Sequence, residues 1–125
     1  MGYRSQVVLA VGKEVMPGFM AALSKSKHAI DLVFKEHDTL VKDYQGDGNI
    51  LVTWDSLKWY DSFEEINAIE AFLDDPESFL GEEPLEGDTC PWDCFKFVRV
   101  GEEPNDVEVK GQGFYDIYVE RSIAY

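Results

Sequence analysis

The chain has 125 residues, 14.2 kDa, 45% hydrophobic and 14% aromatic, so it has the length of one domain and the apolar material for a core, and global disorder is excluded. Twenty-five acids against eleven bases give a net charge of −14 and a pI near 4.3. That balance argues against a phosphate-backbone binder, which needs clustered Lys and Arg, and against docking on an anionic membrane surface.

Residues 1–125 are read as a single domain. Tyr3–Val11 (YRSQVVLAV) reads as a strand, central or nearly so, closed by Gly12. Lys13–Ser26 reads as a helix with Val15, Met16, Phe19, Ala22 and Leu23 at helical spacing. Pro17 fits if the helix starts beside it. His28–His37 carries both a helical and a strand pattern. The helical one is preferred, because Lys35, Glu36 and His37 then share a solvated side.

Thr39–Tyr44 and Asn49–Asp55 read as a β-hairpin around Gly46-Asp47-Gly48. The same stretch matches the first positions of a calcium loop, but its twelfth position is Trp54 where a bidentate Glu belongs. Leu57–Tyr60 reads as a short strand or a bend. Phe63–Asp74 reads as a helix with Ser62 and Glu65 as a capping box, Phe63, Ile66, Ile69, Phe72 and Leu73 buried, and a stop at Asp74-Asp75-Pro76. Asp74 and Asp75 oppose the helix dipole there, which hints at a use for the acidity.

Glu77–Asp93 reads as loop, with one helical turn near Pro76–Leu80. Cys94–Gly101 alternates as a strand, Val107–Lys110 pairs briefly, and Phe114–Ile123 is the last strand. The fold expected is α+β: a mostly antiparallel sheet of four or five strands with two or three helices on one face. A ferredoxin-like variant is compatible with that order. Its buried set is expected to include Phe19, Phe63, Ile66, Phe72, Phe97 and Tyr118.

Little chemistry is announced. Cys90 and Cys94 form C-x-x-x-C, with too few ligands for zinc, and free thiols are expected. His28 and His37 read as a helix-end and a surface residue. The phosphate-loop, dinucleotide and nucleophile-elbow motifs do not occur. No catalytic residue, metal or cofactor is expected. No apolar run is long enough to span a membrane, and Met1–Ser5 lacks the features of an export signal.

The charge is concentrated. Residues 1–60 are neutral overall and residues 61–125 carry all of the −14; between Asp61 and Phe95 there are twelve acids and no Lys or Arg. Such a face is either a solvated surface or a docking surface for a basic partner. Its candidate contacts are Asp61, Glu64, Glu65, Glu70, Asp74, Asp75, Glu77, Glu82 and Glu83. The competing set is Arg4, Lys58, Trp59, Tyr60, Arg99 and Arg121, a few bases near aromatics that could hold a small nucleotide signal.

Three segments carry a resemblance: Met1-Gly2-Tyr3-Arg4-Ser5-x-Val7; Asp55-Ser56-Leu57-Lys58-Trp59-Tyr60 ahead of Phe63; and Phe97-Val98-Arg99-Val100-Gly101-Glu102-Glu103-x-Asn105-Asp106 before a Tyr-rich end. In these the chain resembles small proteins encoded by tailed bacteriophages and prophages. The resemblance implies a phage accessory protein in the host bacterial cytoplasm, and such proteins are often stoichiometric inhibitors of a host enzyme or defence complex. The leading expectation is therefore a non-enzymatic inhibitor of a bacterial nucleic-acid-handling or defence protein, for example a CRISPR effector. It would act through its acidic surface on a basic one, without contacting nucleic acid or membrane. A nucleotide-sequestering protein and an uncharacterised enzyme are the alternatives.

Overall fold

The computed structural model describes residues 2–46, 48–79, 90–103, 105–114, 117–119 and 123–124. Its main sheet contains β1 (Ser5–Val11), β2 (Thr39–Tyr44), β3 (Asn49–Leu57), β4 (Phe95–Val100) and β5 (Val107–Lys110). The order is β2-β3-β1-β4-β5 and every neighbouring pair is antiparallel. Helices α1 (Met16–Leu23) and α2 (Lys27–Phe34) connect β1 to β2, and α3 (Glu64–Asp74) lies between β3 and β4. Without β5, this is the split β-α-β order of ferredoxin-like folds.

β1 is the most apolar strand, and it takes the central place. Val7, Leu9 and Val11 face the helices while Val8 and Ala10 face the other way, all with no exposed surface. On the helix side Phe19 of α1, Leu32 and Val33 of α2, and Ile66, Ile69, Phe72 and Leu73 of α3 close over Val52, Trp54, Phe95 and Phe97. Burying each of these large side chains contributes about 1.5–3 kcal/mol before entropy is counted.

Local chemistry explains the boundaries. Pro17 lies in the first turn of α1, where its missing N–H costs nothing. Ser26 caps α2 by accepting from Ala29 N–H at 3.3 Å. α2 ends at Phe34, so His37 lies beyond the helix, with its Nδ1 2.9 Å from the Val33 carbonyl. At the β2–β3 turn Asp43, Gln45, Gly46 and Gly48 take positive φ, and Asp43 Oδ1 accepts Gly48 N–H at 2.6 Å. The acid that suggested a calcium loop thus closes the turn.

Several expectations need correction. The residue before α3 is Phe63, without a side-chain cap, so Ser62 and Glu65 do not form a capping box. Phe63 precedes the helix, stacks on Tyr60 at 5.2 Å between ring centres, and remains 37% exposed. The run Phe114–Ile123 is not one strand of the main sheet. Phe114 takes φ +55°, and among the described residues of this stretch Tyr118–Val119 (β6) and Ile123–Ala124 (β7) pair, as a separate ribbon. Tyr118 is 51% exposed, whereas Ile117 is buried, packed with Val8, Ala10, Leu51 and Val98 on the face away from the helices. The break at Phe114 follows from Gly113 N–H donating to the Phe95 carbonyl and Gln112 N–H to that of Trp92, which hold the chain across the start of β4. The fifth strand of the main sheet is β5.

Phe97→Ala is expected to lower the unfolding free energy by about 3–5 kcal/mol. Phe63→Ser should cost less than about 1 kcal/mol, because much of that ring already meets water. Urea unfolding of the two variants checks this; similar losses would contradict the contrast in burial.

Candidate functional site

Alternation along β4 turns Phe95, Phe97 and Arg99 toward the helices. Position 99 lies opposite Val7 of β1 and Glu108 of β5. A cation here must be paired, since its side chain is only 13% exposed. Nε donates to Glu108 Oε1 at 2.8 Å, Nη1 to Ser5 Oγ at 3.0 Å and Asp106 Oδ2 at 3.1 Å, and Nη2 to Asp106 Oδ1 at 2.7 Å. Nearly all of the guanidinium N–H groups are thereby engaged.

Asp106 holds more than this fork. Its Oδ2 also accepts from Tyr3 Oη at 2.6 Å, and Tyr3 Oη accepts from Glu103 N–H at 3.0 Å. Hydrogen bonds from Arg99 and then Tyr3 bring the Asp106 carboxyl down to about 2. Tyr3 is raised by donating to that carboxylate. Arg99 is raised too, chiefly by its bond to Asp106, against the opposing effect of burial. Gly101 makes room for this network, because a Cβ there would collide with Asp106 Oδ2 and Tyr3 Oη.

Beside it, Lys110 Nζ binds Asp74 Oδ1 at 2.7 Å and lies 3.6 Å from Glu108 Oε2. Burial lowers the Lys110 pKa, but the Asp74 hydrogen bond and the charges of Glu70, Asp74 and Glu108 outweigh it, and the net shift is upward. Asp74, set against the dipole of α3, therefore has a structural partner. Trp59 lies under Glu70, donating Nε1–H to Glu70 Oε1 at 2.7 Å and packing on Phe97 at 5.1 Å between ring centres.

Beside this network is an open cleft of about 590 Å³ lined by Tyr3, Trp59, Tyr60, Asp61, Ser62, Glu70, Arg99, Asp106 and Glu108. It holds four carboxylates and one base, and that base is already neutralised. Of the expected nucleotide-binding set, Trp59, Tyr60 and Arg99 come together here. Arg4 and Lys58 do not; they line a separate groove with His28, Glu36, Phe63 and Glu65. Arg4 is further tied to the Ser56 carbonyl through Nη1 at 3.3 Å. Arg121 lies outside the described residues.

Of the expected acidic contacts, Asp61 and Glu70 line the cleft. Glu65 lines the other groove, Glu64 lies 3.5 Å from His28, Asp74 pairs with Lys110, and Asp75 accepts from Ser78 Oγ. Glu77 is exposed, and Glu82 and Glu83 lie outside the described residues. Sequence reasoning missed Tyr3, Ser5, Asp106, Glu108 and Lys110. The alternation of Val107–Lys110 was the available signal, since it puts Glu108 and Lys110 on one face. Three separate stretches of the chain meet at this cleft, through Tyr3, through Trp59 and Tyr60, and through Arg99 and Asp106.

Cys90 and Cys94 are free, and desolvation, then the charge of Glu14, raises the Cys94 thiol to about 11. Among the described residues no three His, Cys, Asp or Glu side chains are grouped to hold a metal ion, and no helix is long and apolar enough to cross a membrane. Comparison with protein-family models, curated proteins and solved structures finds no match.

The network fixes a pH response. Asp106 is depressed in the folded state, so its stabilisation is complete above the ordinary carboxylate value of 3.8 and is lost as pH falls toward about 2. Asp106→Asn should be less stable than wild type at neutral pH and show a shallower fall across that window, read by urea midpoints at stepped pH. Parallel curves would contradict it. Cys94, buried and with a raised pKa, should alkylate far more slowly than Cys90 at neutral pH, by mass spectrometry of the native protein.

Proposed function

We propose that the chain is a non-enzymatic binding protein whose acidic cleft and α3 surface receive Lys or Arg side chains of a basic partner. The observation that carries this reading is the state of Arg99. Its guanidinium is bound by Asp106 and Glu108, so a phosphate would have to displace two carboxylates to reach it. An incoming cation meets the opposite situation: Asp61 is exposed, and Tyr3 and Tyr60, residues of a type that attracts guanidinium groups, line the cleft. This disfavours the nucleotide-sequestering alternative.

A binding role also agrees with the resolved shifts. Asp106 moves down while Tyr3 and Arg99 move up, all away from neutrality, whereas a general acid or base works best with a pKa near the operating pH. The resemblance supplies the setting we propose: a phage accessory protein in a bacterial host, occupying the basic groove of a nucleic-acid-handling or defence protein. An acidic face competing for such a groove associates fast and with strong salt dependence.

The test is capture of host proteins by the wild-type chain at about 0.05 M and about 0.5 M salt, repeated with Asp61, Glu64, Asp75 and Glu77 all changed to Lys. These four side chains are exposed, so the fold should survive. A basic partner held at low salt, released at high salt and lost by the variant is the expected result. Capture that ignores both salt and charge reversal would refute the proposal.

A further inference from the structure

We propose that the outer edge of β5 docks an extended segment of the basic partner, one in which apolar residues alternate with Lys or Arg. This rests on the reading above and adds how such a partner is held. Among the described residues β5 is the last strand of the sheet, with nothing paired beyond it.

The phase of the ladder decides what that edge offers. Gly101 N–H donates to the Asp106 carbonyl at 2.8 Å, so Glu108 and Lys110, in step with Asp106, turn their peptide groups toward β4. Val107 and Val109 turn theirs outward. Val107 N–H is used within the turn, bonded to the Asn105 carbonyl at 3.1 Å, which leaves the Val107 carbonyl and both peptide groups of Val109 for an added strand.

The side chains alternate in the same way. Val107 and Val109 are 41% and 51% exposed on the face away from the helices. Glu108 and Lys110 lie on the cleft face, where the acids are. A strand added here sets one side chain over the valines and the next beside Glu108 and Asp106. Apolar residues suit the first position and a cation suits the second.

The edge also lacks the usual protection. β2, at the other side of the sheet, is interrupted by a bulge at Asp43, whereas β5 pairs with β4 without one. Lys110, which could guard the edge, is drawn inward onto Asp74 and is only 19% exposed. Charge argues against a second copy of the chain as the occupant. Each copy carries −14, so two copies repel one another.

The test titrates the full chain with labelled peptides of about seven residues. One alternates Val and Arg, a second has the same composition in two blocks, and a third is the alternating peptide N-methylated on one edge. The chain is used as wild type and as Val109→Pro, which removes an outward N–H and spares the β4 ladder. The alternating peptide should bind the tightest, and N-methylation or Val109→Pro should each weaken it by about tenfold or more. Equal binding of alternating and block peptides, unaffected by N-methylation, would overturn edge docking and leave the acidic reading standing. Binding by none of the peptides would overturn both. A concentration-dependent dimer abolished by Val109→Pro would give the edge to a second copy and overturn the proposal.

Discussion

The Arg99 guanidinium is a charge that this architecture cannot leave alone. It sits at the end of an otherwise apolar strand face, mostly removed from water, and an unpaired cation there would cost several kcal/mol. Its partners come from three elements: Ser5 from the first strand, 94 residues back, and, closer in the chain, Asp106 from the turn after β4 and Glu108 from β5. Tyr3 joins through Asp106. Satisfying one buried cation therefore fastens the N-terminal segment and the β4–β5 hairpin to the middle of the sheet. It also sets the shape of the cleft, whose floor is this network.

The same pairing decides the electrostatic character of the cleft. With Arg99 and Lys110 both held by carboxylates, the remaining field comes from acids. An arginine in a cleft beside Trp59 and Tyr60 suggests an anion site when only residue types are considered. The hydrogen-bond geometry reverses that inference, because a guanidinium with nearly all of its N–H groups engaged has little left to offer a phosphate. The acidity of the second half of the chain is likewise divided. Asp74 and Glu70 have structural partners in Lys110 and Trp59, while Asp61 and Glu77 have no ion-pair partner among the described residues.

Much of the fold was legible because it rests on local periodicity. The apolar run of β1 announced a central strand, the stripe of Ile66, Ile69, Phe72 and Leu73 announced α3, and the Gly-rich turn announced the β2–β3 hairpin. The misreadings have separate physical causes. Phe63 and Tyr118 have the apolar character of core residues, and the stretch from Phe114 to Ile123 has the composition of a strand. Phe63 is turned outward locally, by the start of α3 and its stack on Tyr60, whereas the last segment is displaced by bonds to the carbonyls of Trp92 and Phe95, far back in the chain.

The amino-acid sequence by itself determined the class of fold, the helix and strand periods, and the gathering of negative charge after residue 60, because these depend on spacing and composition within short windows. Only the tertiary structure decided which charges are spent and which remain available. Whether Arg99 is a ligand hook or a clamp depends on Tyr3, Ser5, Asp106 and Glu108, and whether Asp74 is free depends on Lys110 across 36 residues of chain. A charge is neutralised by what lies within a few ångströms in space, and the fold, not the spacing along the chain, sets that distance.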